Sequence, residues 1–237
     1  MRFHPAILAA ATTEWPFANP SAVTPGFEAG TPTSVVSNEV TTAIGDRVIL
    51  MFSQIRGSAG TPSVNQTVSA IDGNDDFTPV DETDFTAHAA LVQRDDADEG
   101  GVGVYIYSWV ATIAGTGTFR VTWSGSVWGT LAEAQVVPQC AVIDAKSAGA
   151  NDAATSVATT FDATPQSADL IFSIAQQRLN AAFSSPTSFT DLSNESGATN
   201  HRVRTAYRNG GAGATTTWSG MSGSHPLVAA AIQLRRA

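Results

Sequence analysis

The chain predicts an all-β protein: a jelly-roll-type antiparallel β-sandwich built from two internal repeats, with an extended N-terminal arm. Three observations carry this reading. Only 14% of the 237 residues are charged, and Gly, Ala, Ser and Thr fill positions that Lys and Glu would take on a solvated helix. Apolar residues fall in short runs or in strict alternation, without a long stretch at helical period. Four sequence landmarks recur in the same order in the two halves.

The first 32 residues form the predicted arm. Pro5, Pro16, Pro20 and Pro25 recur there, interspersed with Phe3, Trp15, Phe17 and Phe27. Proline lacks a backbone donor and fixes φ, so this segment does not suit an interior strand. Spaced aromatics on an extended segment need a surface to cover, either on their own domain or as a docking arm on a neighbouring subunit. Met1–Ala11 has one Arg and a short apolar stretch, like a secretory leader. Pro5 and the break at Thr12-Thr13-Glu14 place it in the mature protein instead.

Strand signals fill residues 33–237. Thr33-Ser34-Val35-Val36 opens the first repeat, Gly45-Asp46 turns, and Val48-Ile49-Leu50-Met51-Phe52 is a continuous apolar run of strand length. Phe119, Val121 and Trp123 alternate with Thr118, Arg120 and Thr122, the period of a strand with one wet face. The landmarks then return. Thr155-Ser156-Val157 precedes Asp169 and Leu170-Ile171-Phe172. Thr122-Trp123-Ser124-Gly125 recurs as Thr217-Trp218-Ser219-Gly220, and each is followed by a small-residue apolar strand, Leu131–Val137 or Leu227–Leu234. The repeats span about 33–143 and 155–237. The linker Ser147–Asp152 is short, so the repeats are expected to share one double-layered unit of about twelve strands.

Composition removes several function classes. A net charge of −9, from 21 acidic and 12 basic residues, with no Lys/Arg cluster, argues against nucleic-acid binding. No run of 18 apolar residues predicts a membrane-spanning helix. Cys140 is the single cysteine, so neither an intrachain disulfide nor a cysteine zinc site is expected. Gly220-Met221-Ser222-Gly223 lacks the Gly-x-Ser-x-Gly of a nucleophile elbow, and no His-x-x-x-His pair occurs. The chain is expected to have no catalytic residue, cofactor or metal.

Ten of the 21 acidic residues lie between Asp72 and Glu99, in a segment that the second repeat lacks. Asp72, Asp75 and Asp76, with Asp95, Asp96 and Asp98, mark an exposed ligand or ion loop; its plain alternative is a solvated loop that resists edge pairing. Asp81, Glu82 and Asp84 lie between these groups. Trp123 and Trp218 occupy equivalent repeat positions and read as core. Trp128, beside a Gly-rich turn and without an aromatic counterpart, is the candidate exposed aromatic.

The order Thr-Ser-Val, Gly-Asp before an apolar strand, a Tyr-containing strand, Thr-Trp-Ser-Gly and a terminal Ala-rich strand ending Ile232-Gln233-Leu234-Arg235 resembles a group of two-repeat jelly-roll domains. These occur in virion proteins of tailed bacteriophages, as decoration, head-fibre or tail components, and in some bacterial exported proteins. The resemblance spans about residues 33–236 and implies no shared catalytic residues. It implies a structural and interaction protein located in the virion. The expected partners are other virion proteins in a homo-oligomeric or symmetric multi-copy assembly. The alternative is a carbohydrate-binding or adhesive module that touches a host surface glycan. A glycan-cleaving enzyme would need two carboxylates facing one groove.

Overall fold

The computed structural model describes residues 20–56, 66–94, 101–150, 154–197, 201–211, 213–223 and 226–236. Phe3, Trp15, Phe17, Asp95, Asp96 and Asp98 lie outside the described residues. The chain is all-β. In the first half run β1 (Gly26–Ala29), β2 (Ser34–Val36), β3 (Val40–Thr42), β4 (Arg47–Arg56), β5 (Val68–Gly73), β6 (Thr86–Arg94), β7 (Gly101–Val110), β8 (Gly115–Gly117), β9 (Phe119–Trp123) and β10 (Gly129–Val137). In the second run β11 (Cys140–Ala150), β12 (Ser156–Thr160), β13 (Asp169–Gln177), β14 (Thr190–Gly197), β15 (His201–Asn209), β16 (Thr215–Ser219) and β17 (Leu227–Arg236). Among the described residues the helical pieces are two 3-10 turns, Asp75–Phe77 and Glu82–Asp84.

Two five-stranded antiparallel sheets dominate, with orders β1-β10-β4-β7-β6 and β11-β17-β13-β15-β14. Smaller sheets accompany them: β2-β9-β5 and β3-β8 in the first half, β12-β16 in the second. Strand alternation explains the layering. On β4, Ile49, Met51 and Ile55 face the second large sheet, where they meet Leu170, Phe172, Ile174, Val228 and Ile232. Val48, Leu50 and Phe52 face the other way, onto Val35, Ile71, Phe119, Val121 and Trp123 of β2-β9-β5. β13 does the same: Phe172 and Ile174 point inward, while Ala175 packs outward with Val157 and Trp218.

The result is four stacked layers rather than one pair of sheets shared by the two halves. Each half closes its own pair, and the two large sheets then cover each other. The reason lies in the apolar runs. A strand that is greasy on both faces needs cover on both, and a single shared pair leaves one face of β4 and β13 wet. Across this central interface β6 lies against β11 and β17, and β4 lies against β13 and β15. The two strand orders therefore run in opposite directions across the interface.

Local devices recur in both halves. Asp46 Oδ2 accepts from Ala43 N at 2.7 Å, and Asp169 Oδ2 accepts from Gln166 N at 2.7 Å, each closing the turn that starts the central strand. Trp123 and Trp218 are both buried, and each indole N–H reaches a hydroxyl: Thr130 Oγ1 at 3.2 Å and Ser173 Oγ at 3.0 Å. The extra segment of the first half supplies β5 and both 3-10 turns. At the edge of β16, among the described residues, the second half has a single bridge, Ser184 to Ser219.

The predicted arm ends in ordered sheet. Residues 26–29 pair antiparallel with β10, Phe27 opposite Leu131, and Phe27 packs onto the central core. Pro25 immediately precedes this strand, at the edge of the sheet where a missing donor is harmless.

Truncating Phe172, buried at the central interface, to Ala should cost about 3–5 kcal/mol in denaturant unfolding. Ile44→Ala, at a side chain 69% exposed, should change stability by less than about 0.5 kcal/mol. Equal effects would contradict the placement of the core.

Candidate functional site

The acidic segment splits into built turns. Asp76 Oδ2 accepts from Thr116 N at 2.8 Å and ties its turn to β8. Asp81 Oδ1 accepts from Thr83 N and Oγ1, while Asp84 Oδ2 accepts from Asp81 N, forming a capping box. The Thr83 hydroxyl and N–H hold the Asp81 carboxyl below its ordinary range. Asp72, Asp75 and Asp76 are exposed. Among the described residues no group of three or more His, Cys, Asp or Glu side chains is placed to hold a metal ion.

Trp128 is 37% exposed, in the connection from β9 to β10. It does not join the acidic turns. Asp72 pairs with Arg120 near the start of β9, whereas Trp128 follows its other end. Phe27 lies 5.3 Å from the His201 ring, across the central interface. Gly129 is required there, because a Cβ on it would lie 2.3 Å from His201 Cε1. Burial pushes the His201 pKa down to about 4, so the ring is neutral at physiological pH.

Polar groups buried between the large sheets form a second feature, one that the sequence reading did not single out. Glu133 on β10 is fully buried; its Oε2 accepts from Thr205 Oγ1 of β15 at 2.5 Å, and its Oε1 accepts from Gln135 Nε2 at 3.0 Å. Ser193 of β14 shares a 2.6 Å hydrogen bond with Thr205. Burial raises the Glu133 pKa; the hydrogen bonds from Thr205, Gln135 and Ser193 oppose the rise, and Glu195 adds to it. Gln176 Nε2 donates across the same interface to the carbonyls of Gly103 and Gln54, 2.9 Å each. The available signal was a Glu and a Gln on alternate positions within the apolar run Leu131–Val137.

His88 Nε2 lies 2.7 Å from Ser108 Oγ, which also accepts from Arg47 Nη1 at 2.8 Å. Burial and the neighbouring Arg47 lower the His88 pKa and favour the neutral ring, whose Nε2 shares a hydrogen bond with the Ser108 hydroxyl. A serine 1% exposed cannot meet a substrate, and this trio acts as packing. Burial likewise raises the Cys140 thiol to about 11, keeping it in its inert protonated form.

A groove of ≈510 Å³ lies on the outer face of the first half. Tyr105 and Tyr107 of β7 and Val92 of β6 form its floor. Glu82, Gln66, Thr67 and Val68 line its other side. Phe52 stacks on Tyr105 at 4.9 Å and packs against Tyr107 at 5.2 Å. Gln54 Nε2 donates to Tyr105 Oη at 2.5 Å and to Gln66 O at 2.6 Å, tying β4 and β7 to the residues entering β5. Burial pushes the Tyr105 phenol up to about 12. Burial, with Glu82 nearby, also raises that of Tyr107. The groove thus joins Glu82, from the acidic segment, to two aromatic residues more than twenty positions away.

The raised pKa of Glu133 predicts a pH dependence of defined sign. A carboxyl whose folded pKa exceeds its unfolded one supports the fold below the unfolded value, near 4.5, and that support is lost as pH rises through the folded pKa. Glu133→Gln should therefore gain stability relative to the parent as pH rises from about 4.5 to 8 in urea titrations. A difference independent of pH would contradict this.

Comparison with protein-family models, with curated proteins and with solved structures finds no match to the chain.

Proposed function

We propose that the chain is a structural and interaction protein of a bacteriophage virion, of the decoration, head-fibre or tail type, present in many copies. The observation that carries this reading is the strand order. Numbering β1, β2, β4, β5, β6, β7, β9 and β10 from one to eight, the large sheet runs one-eight-three-six-five and the small one two-seven-four. We read that order as a jelly roll whose fifth strand has moved to the other sheet. Counting β11, β12, β13, the Ser184 bridge, β14, β15, β16 and β17 the same way, the second half repeats the order. We read the chain as a duplicated jelly roll, in keeping with the phage domains that its sequence resembles.

Mechanically, the fold suits a load-bearing part. Four layers lock together through apolar faces without disulfides, and the N-terminal segment is tethered to a sheet edge through β1. Residues before β1 would dock on neighbouring subunits from that fixed point.

Deleting residues 1–19 should leave the β-sheet circular dichroism and melting temperature intact, because β1 and its Phe27 contact are retained. The deletion should abolish incorporation, read as copy number per purified particle by mass spectrometry. Incorporation of the shortened chain at normal copy number would overturn the docking role, and absence of the full chain from purified particles would overturn the virion reading.

A further inference from the structure

We propose that the groove formed by Tyr105, Tyr107 and Glu82 binds a neutral saccharide. This does not depend on the virion reading, since a glycan site can serve any protein that meets a cell surface. Its ≈510 Å³ falls within the roughly 300–1,000 Å³ usual for small-molecule sites. The ligand chemistry follows from the lining. Tyr107 is half-buried and offers ring surface to the C–H face of a pyranose. Tyr105 presents its hydroxyl edge. Because Gln54 donates to that oxygen, the phenolic proton remains available to donate into the groove. Glu82, exposed on the rim, supplies two acceptor oxygens for neighbouring sugar hydroxyls, and Thr67 a hydroxyl.

Other ligand classes fit less well. Among the described residues no basic side chain lines the groove, and Glu82 with a chain charge of −9 repels phosphates and acidic sugars. A purely apolar ligand would strand the polar groups of Glu82, Thr67 and Tyr105. A quaternary ammonium needs several ring faces around one cation, and one face of Tyr105 is already covered by Phe52, 6° from parallel. The site is also preorganised. Phe52 and the two hydrogen bonds from Gln54 hold the floor, and Gly103 lets Tyr105 Oη sit where a Cβ would lie only 3.2 Å away.

The test uses the full chain in saturation-transfer NMR and calorimetry with cellotetraose, maltotetraose, mannotriose and tri-N-acetylchitotriose. Oligogalacturonate and choline serve as the acidic and cationic comparisons. At least one neutral oligosaccharide should bind saturably. Glu82→Gln should weaken it about tenfold, the loss of hydrogen bonds to a charged acceptor. Tyr107→Ala should remove binding, while Trp128→Ala should leave it unchanged. Melting temperatures identify any variant that fails to fold, and the exposed Glu82→Gln stands as an independent readout if Tyr107→Ala does. No binding by any neutral member, preference for oligogalacturonate or choline, or binding unaffected by Glu82→Gln would each overturn the assignment.

Discussion

The structure depends on one constraint: the central strands β4 and β13 are apolar on both faces. Fully buried Val48, Leu50 and Phe52 require cover on one side of the first large sheet, and Ile49, Met51 and Ile55 require it on the other. A sheet of that kind cannot end in water. Each half therefore wraps a smaller sheet over its outer face and turns its inner face to the other half. The Ala-rich β17 helps the layers approach, since fully buried Ala229, Ala230 and Ala231 present little bulk to either side.

Against that apolar background the few polar groups between the large sheets define how they sit. Glu133 with Thr205, Gln176 with the Gly103 and Gln54 carbonyls, and Arg47 with the Cys140 carbonyl are directional contacts in a largely apolar interface. Sliding one sheet over the other would leave these groups buried without partners, at a cost of about 1–3 kcal/mol for each neutral group and more for a charged one. The greasy faces supply the attraction, and the polar contacts select one register from the many that apolar packing alone would tolerate.

What was legible in the sequence was local. Asp46 and Asp169 stand out because an Asp before an apolar run closes a turn by bonding back to its own backbone. Trp123 and Trp218 stand out because they sit in the same four-residue frame. The number of layers was not legible. A continuous apolar run announces that a strand is covered on both faces but not by what, so one shared pair of sheets was the simpler expectation. Phe27 was grouped with the arm because it continues the series of aromatics set among recurring prolines, yet β10 offers it an edge. Trp128 lies at the far end of β9 from the acidic turns, a separation that sequence order alone does not show. The groove escaped notice because Glu82 meets Tyr105 and Tyr107 only after β6 folds back along β7.

Native-state amide hydrogen exchange tests the central claim most directly. If the two large sheets hold each other, amides in Val48–Phe52 and Leu170–Ala175 should be the slowest in the chain and should share one limiting free energy, that of global unfolding. Two separate limits, one for each half, would mean that the halves fold independently and that their shared interface is incidental.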